Sequence, residues 1–416
     1  MEVRMKTEEN YNNRTWLYKV LCVAAGMIAS LPLACNYIMS GGRVTEWIAR
    51  VTELAAGFHG GELYFFPQME TLAGTGIWSN GINSNFWFFL PGVIVWLTGN
   101  ITAAYRIYML LIQTGTLAAS MLFFQELFAE EENRLPAFFG TLLYMVCPYR
   151  IFVCYDLADL SQAVAFALLP LYAWAALRVF AGGGKWRQIL FMGVILAGIG
   201  YADTVFFVTL SGITLSVCAF GRKLRAFFGL AAGGILGLPA LYRLGMYVLG
   251  KGLPEFDVML QSIMPKGYRV GQYFSSYFWR DEHPGMGLGM LICFLAVVWI
   301  GFVKGEREKN RRYGFFAGTA VFFTVLSLRY FPWDLVQRLG GWALRLVSMI
   351  ETPAVFWGMA CFAFCVPAAR GMEKMSRQKD KLAAFGVPLV VLLACAWVCV
   401  YQCNMLTYSR MPMTLG

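Results

Sequence analysis

Long apolar runs separated by short polar segments recur along the whole chain. Backbone polar groups inside a bilayer must be satisfied within their own segment, so such runs are expected to be helical. The pattern predicts an all-α polytopic membrane protein, with residues 1–416 forming a single transmembrane domain. We predict about eleven transmembrane helices, at 17–39, 103–125, 136–148, 160–178, 189–201, 204–220, 226–249, 286–303, 313–328, 353–369 and 382–403.

Three of the apolar segments are unusual. The runs 136–148 and 189–201 are shorter than the roughly 20 residues that a full crossing requires. The segment Phe86–Thr98 is also short, rich in aromatic residues and interrupted by Pro91. Counting it as a crossing would place every later basic loop outside, so we interpret it as an interfacial helix on the outer leaflet.

The positions of Lys and Arg predict the orientation. The short loops on the N-terminal side of the membrane hold most of the 34 Lys and Arg residues, including the runs KGEREKNRR and RGMEKMSRQKDK. The positive-inside rule therefore favours a cytoplasmic N-terminus and an external C-terminus. The long loops are then external: 40–102 with juxtamembrane helices, 250–285, and 329–352.

Composition agrees with a membrane protein. The chain is 58% hydrophobic and only 14% charged, whereas soluble domains carry about 25% charged residues. The formal net charge of +10 could indicate nucleic acid, but the basic residues cluster in loops between apolar runs. We therefore expect the lipid bilayer, and no nucleic acid, as a partner.

The cysteines and histidines argue against two kinds of site. Most of the 11 cysteines lie inside apolar runs, so we interpret them as packing residues, with Cys395, Cys399 and Cys403 forming a stripe at a close helix contact. With only 2 histidines in the chain, histidine-based zinc chemistry is disfavoured.

Polar residues that could do chemistry concentrate in the predicted external segments. Around them, the order of elements resembles the GT-C class of membrane glycosyltransferases, in particular the bacterial 6-pyruvoyl-tetrahydropterin-synthase-related membrane proteins. The shared features are an acidic loop after the first span, the stretch NSNFWFFLPGVIVWL, a short helix ending in Pro-Tyr-Arg (FFGTLLYMVCPYRI) and the pattern QAVAFALLPLY. The resemblance is clearest over residues 40–220.

The resemblance implies transfer of a sugar from a polyprenyl-phosphate carrier to an acceptor outside a bacterial cytoplasmic (inner) membrane. Such a reaction needs a carboxylate near the acceptor hydroxyl, as a base or as a ligand of a divalent metal ion, and cations near the leaving phosphate. The resemblance implies Glu46 as that carboxylate, with Glu53 second, and an assisting role for Asp156 or Asp159. The candidate phosphate- or sugar-binding residues are Tyr149, Arg150, Tyr155, Arg243 and Arg280.

Each candidate also has a structural interpretation. Glu46 and Glu53 fit an amphipathic interfacial helix on which they are merely solvated. Asp156 and Asp159 fit a helix N-cap before Leu160. Arg150 could snorkel to the interface rather than bind phosphate.

Other candidates remain open in the same way. Arg243 lies inside a span, where a charge is costly, so phosphate binding is one reading. Asp203 fits either a break between two short spans or the lining of a cavity. The run WRDEHPG fits a polar loop better than a metal site.

Two other functions remain open. A transporter or flippase of lipid-linked glycans would have broken helices and charges at the bilayer midplane. A non-catalytic membrane assembly subunit is favoured by Leu157 and Gln162, which stand where related sequences have an Arg and a Glu.

Overall fold

The computed structural model describes residues 16, 18–35, 43–68, 83–129, 134–181, 185–221, 224–250, 262–274, 284–298, 311–350, 352–376 and 386–408. Helices account for 84% of these residues, and no β-strand occurs among them. The all-α prediction is therefore confirmed for the described part of the chain.

The helices, numbered in chain order, are α1 (Tyr18–Ala34), α2 (Val44–Gly60), α3 (Phe86–Thr98), α4 (Ile101–Leu127), α5 (Leu135–Leu157), α6 (Leu160–Phe180), α7 (Trp186–Ala202), α8 (Thr204–Gly221), α9 (Leu224–Leu236), α10 (Leu238–Val248), α11 (Gly287–Val298), α12 (Arg311–Ser327), α13 (Trp333–Gln337), α14 (Gly341–Ser348), α15 (Ala354–Ser376) and α16 (Val387–Tyr408). Two single helical turns lie at Met264–Lys266 and Val270–Tyr273.

Within the described residues, each of the eleven predicted spans coincides with helix. In that part of the chain, α4, α5, α6 and α15 are long and apolar enough to cross a membrane, and the pair α9 and α10 would make a fifth crossing if it counts as one span. In the other apolar helices, the apolar stretch that the structure describes has at most 17 residues. A membrane protein is therefore supported, while the number eleven stays a prediction.

The predicted short span 136–148 covers the first of two helical stretches in α5. The first stretch, Leu135–Met145, ends just before Cys147, where the backbone leaves the helical conformation. The second stretch runs from Pro148 to Leu157, its last six residues form a π-helix, and the whole of α5 has 23 residues. Pro148 opens this second stretch, where its missing N–H would have had no partner in any case.

Two other predicted segments contain a proline, and the backbone responds differently in each. The predicted span 226–249 is two helices, α9 and α10, bent by 80° at Gly237 just before Pro239. Pro91, by contrast, does not interrupt Phe86–Thr98, because it lies in the first turn of the regular helix Phe89–Thr98, where no backbone donor is needed.

The core of the bundle surrounds α5, which contacts α4, α6 and α15. Of its most apolar stretch, 94% is buried. Close approach is needed here: a methyl group on Gly358 of α15 would overlap the rings of Phe166 and Tyr149, and one on Gly140 would overlap Phe124. These contacts hold the end of α5 in a fixed position.

Helix ends that the sequence assigns to one side of the membrane meet in space. Residues around 43, 83, 157, 203 and 350 line one cavity. At the other end of the helices, Arg178 of α6 pairs with Glu126 of α4 at 2.7 Å. The predicted alternation of helix directions thus agrees with these contacts.

Candidate functional site

A cavity of about 100 Å³ lies at one end of the bundle, where several helix ends and loops meet. Its wall is formed by Arg43, Asn83, Tyr149, Phe152, Leu157, Asp159, Ser161, Gln162, Asp203, Thr204, Val205, Met349, Ile350, Thr352 and Val355. The polar and charged members come from five separate parts of the chain.

Asp159 and Arg43 form an ion pair in the cavity wall, with 2.8 Å between Nη1 and Oδ2. The other carboxylate oxygen of Asp159 accepts the backbone N–H of Gln162 at 3.0 Å and so caps α6. The N-cap interpretation of Asp159 is therefore confirmed, and the same residue lines the cavity. The backbone N–H of Arg43 also donates to the carbonyl of Leu157 at 2.8 Å, which ties the first loop to the end of α5.

Asp203 is a second carboxylate in the wall. Its side chain accepts the backbone N–H of Phe206 at 3.1 Å and caps α8. Burial raises the pKa of Asp203 to about 6, the negative charge of Asp159 adds to the rise, and the hydrogen bond from Phe206 opposes it. Of the two interpretations from sequence, a break between spans and a cavity lining, the structure supports both.

Asn83 joins the segment before α3 to the start of α8. Its Oδ1 accepts from the hydroxyl of Thr204 at 2.9 Å and from the backbone N–H of Thr204 at 3.3 Å. The neighbouring Ser84 donates its hydroxyl to the carbonyl of Tyr201 at 3.1 Å. These bonds hold the segment 83–85 as one wall of the cavity.

Arg50 positions the same segment from behind. Its guanidinium is fully buried and donates to Asn85 Oδ1 at 2.8 Å, the Ser84 carbonyl at 2.7 Å and the Asn83 carbonyl at 3.2 Å. It also lies 4.3 Å from the centre of the Phe88 ring. Nothing in the sequence pattern singled out Arg50, because these partners lie more than 30 residues away.

The amphipathic interpretation expected a solvated Glu46, but the side chain is buried. It is only 6% exposed and pairs with Arg50 one turn later, at 3.5 Å. Glu53 accepts the backbone N–H of Gln68 at 2.9 Å. Neither residue is among the described residues that line the cavity, so the carboxylates of the site come from the second loop and from Asp203.

The predicted ligands around the second loop separate into two groups. Tyr149 is in the cavity wall. Arg150 points into the bundle instead, where it donates to Gln113 Oε1 at 2.7 Å, to the carbonyl of Tyr144 at 3.2 Å and to that of Met145. The interior position of Arg150 agrees with neither snorkelling nor an approach to a ligand in the cavity.

Tyr155 is also interior. Its hydroxyl donates to the carbonyl of Ala29 at 2.9 Å and accepts from the amide of Gln113 at the same distance. Asp156 is half-buried and is not among the described cavity residues.

Two predicted cationic ligands lie elsewhere. Arg243 is half-buried in α10, with its guanidinium 4.0 Å from the centre of the Phe66 ring. Arg280 lies outside the described residues, as does most of the run WRDEHPG.

A second, apolar pocket of about 110 Å³ lies farther along the same helices. Its wall residues lie on α6 from Leu169 to Phe180, on α8 from Leu210 to Val217, and on α15 from Met359 to Ala363, and α12 closes the fourth side with Phe316 and Phe323. The two pockets share no wall residue. The buried rings of Phe166 on α6 and Phe206 on α8, with centres 4.8 Å apart, lie along these helices between the two sets of wall residues.

A divalent cation was a further expectation. Among the described residues, no group of three or more His, Cys, Asp or Glu side chains could hold a metal ion. The cavity brings together two carboxylates, and one of them already binds Arg43.

Several wall residues were not expected from the sequence. Arg43 counted only as a loop charge, and Asn83 drew no attention by itself. Leu157 and Gln162 both lie in the wall, and the amide oxygen of Gln162 is buried with no hydrogen-bond partner among the described residues.

No protein-family model matches the chain, and no curated protein matches it either.

Proposed function

We propose that the chain is a GT-C-like membrane glycosyltransferase that transfers a sugar from a polyprenyl-phosphate carrier to an acceptor on the outer side of a bacterial cytoplasmic membrane. The observation that carries the proposal is the polar cavity with its two carboxylates and one arginine, with a separate apolar pocket farther along α6, α8 and α15. A lipid-linked sugar has the matching division into a polar head and a long apolar tail. In this proposal the eleven helices cross with the N-terminus inside, and the cavity faces outward.

The two carboxylates suit different roles because their environments differ. Asp159 is ion-paired with Arg43 and also caps α6, so both of its carboxylate oxygens already have partners. Asp203 has its pKa raised to about 6 by burial, which suits a general base near neutral pH. We assign the role of base to Asp203 in place of Glu46.

The proposed reaction needs few groups. The acceptor hydroxyl attacks the anomeric carbon, its proton passes to the carboxylate of Asp203, and the bond between the anomeric carbon and the phosphate oxygen breaks. Polyprenyl phosphate leaves with the electron pair, and Arg43, oriented by Asp159, stabilises its charge. Arg43 takes the place of the arginine that related sequences have at Leu157.

The test uses membranes that contain the full-length protein and radiolabelled polyprenyl-linked sugar. Asp203→Asn is expected to lower transfer at least 100-fold, since general bases contribute about 10²–10⁴-fold. Asp159→Asn is expected to lower transfer as well, because Arg43 loses the ion pair that orients it. The matched control is Glu126→Gln, which breaks the ion pair with Arg178 at the other end of the bundle and should leave transfer within twofold. Full activity in both cavity variants would overturn the proposal.

One observation favours a flippase as the second candidate. The 80° bend between α9 and α10 is the kind of broken helix that transporters use. In vesicles, a flippase would move a fluorescent lipid-linked sugar across the bilayer without cleaving it, whereas the proposed enzyme would release polyprenyl phosphate.

A further inference from the structure

Two cysteines from opposite ends of the sequence meet beside the cavity end of the bundle. Cys35 follows the last turn of α1, and its Sγ lies 3.6 Å from the backbone carbonyl oxygen of Cys403 in α16. The two thiol side chains also contact each other directly. The last turn of α1 packs against α16, so the contact belongs to a helix interface.

The position of this pair along the bundle follows from its neighbours. Arg106 in the second turn of α4 donates to the carbonyl oxygen of Cys35 at 3.3 Å. The adjacent Tyr105 donates to the carbonyl of Cys154 at 3.0 Å, three residues before the cavity residue Leu157. The Cys35–Cys403 contact is therefore at the same end of the molecule as the cavity.

A second pair of cysteines in contact provides a comparison. Cys147 and Cys361 also interact through their side chains, but each is only 1% exposed. Cys35 and Cys403 are both partly exposed. Thiol–disulfide exchange requires access of an external disulfide to the attacking thiolate, so the buried pair is protected from oxidation and the partly exposed pair is not.

We propose that Cys35 and Cys403 form a disulfide bond that links the first and last helices of the bundle. The inference rests on the outward orientation in the proposed function, because disulfides persist in oxidising extracytoplasmic surroundings. It does not depend on the glycosyl-transfer reaction.

The bond forms by exchange with an external disulfide, such as oxidised glutathione or the active-site disulfide of a thiol oxidase. One cysteine thiolate attacks the external disulfide, giving a mixed disulfide and releasing one external thiol. The second cysteine then attacks the mixed disulfide and releases the other. The protein loses two protons and two electrons, and the external disulfide is reduced to two thiols.

The experiment counts oxidised thiols in the full-length protein as it exists in isolated membranes. Accessible and buried thiols are blocked with N-ethylmaleimide in detergent denaturant, the sample is reduced, and released thiols are labelled with maleimide-polyethylene glycol. We expect two labels in the wild type, none in Cys35→Ser or Cys403→Ser, and two in the control Cys361→Ser. Peptide mapping of the unreduced wild type should yield one linked pair that contains residues 35 and 403.

Several outcomes would overturn the inference. Absence of reductant-dependent labelling in the wild type, or a linked pair with other cysteines, contradicts it directly, and neither result depends on whether a variant folds. Labelling that appears only after oxidised glutathione is added to purified protein also contradicts it, since the pair would then be reduced in its own membrane. None of these results affects the transfer assay with Asp203→Asn, so the two proposals fail separately.

Discussion

Gly358 of α15 packs directly against the rings of two buried residues. A side chain there would overlap the rings of Phe166 and Tyr149, and Tyr149 lines the cavity. Gly358→Ala is therefore expected to destabilise the fold by about 1–3 kcal/mol through overpacking. Thermal unfolding of the purified protein, followed by tryptophan fluorescence, should show a lower midpoint.

The control for this substitution is Gly115→Ala. Gly115 lies in the exposed face of α4, and nothing is within 4 Å of the position of its added methyl group. Since alanine is the better helix former, the midpoint should stay the same or rise. Equal midpoints for the two variants would contradict the close contact at Gly358.

Asp203 gives a pH dependence of defined sign. Its pKa is raised from 3.8 to about 6 by burial and by the charge of Asp159, so the folded protein holds this proton over a range in which the unfolded chain has lost it. The stabilisation is fully present below pH 3.8 and is lost as the pH rises to about 6. The unfolding midpoint of the wild type should therefore fall relative to that of Asp203→Asn between these pH values. Parallel pH profiles for the two proteins would show that Asp203 titrates normally.

The roles of single residues were predictable only where the partner is near in sequence. Asp159 could be recognised as a cap because the donor of the N-cap bond, the backbone N–H of Gln162, is set by local spacing. Arg150 could not be placed, since its interior position depends on Gln113 from another helix. Glu46 was assigned to a solvated environment because the amphipathic pattern of α2 does not show that Glu46 is buried beside Arg50.

The buried guanidinium of Arg50 joins helix α2 to the segment 83–85. Removing Arg50 takes away its bonds to Asn85 and Ser84 and leaves the buried Glu46 without this partner. Arg50→Met is expected to cost about 3–5 kcal/mol, and the double variant Glu46→Gln/Arg50→Met should recover part of that loss. Midpoints of thermal unfolding measure both effects.

Arg178→Met is the matched control for this experiment. The Arg178–Glu126 pair is more than one-third exposed on both sides, so its loss should cost no more than about 1 kcal/mol. If Arg50→Met were as mild as Arg178→Met, the anchoring role of Arg50 would be wrong.

The helices were predictable from apolar runs, but their ends and bends were not. Hydropathy locates residues that avoid water, and it does not register the π-turns that extend α5 beyond Pro148 or the 80° change of direction at Gly237. Both features depend on backbone hydrogen bonds and on packing against other helices.

The orientation of the whole bundle can be tested with two exposed positions at opposite ends. Leu339, between α13 and α14, is 66% exposed, and Trp186, at the start of α7, is 70% exposed. In intact cells, a membrane-impermeant maleimide should label Leu339→Cys directly and Trp186→Cys only after permeabilisation. The wild type serves as the background control, and the reverse pattern would overturn the predicted orientation.

The site as a whole was only partly predictable. The sequence placed the polar residues in four external segments, and three of these contribute to the cavity: the first loop, the end of α5 and the residues before α15. It could not indicate that Arg43 rather than Arg150 supplies the positive charge, because that depends on which side chains the helix packing turns inward.

The cavity wall runs from Arg43 near the beginning of the chain to Val355 at the start of α15. During synthesis, the early wall residues enter the membrane long before the late ones have been translated. A nascent chain therefore has no closed site, and it acquires one only when the α15 segment is inserted and Gly358 docks against Tyr149. The cavity is thus complete only after α15 has been inserted, and a chain arrested before α15 lacks this part of the wall.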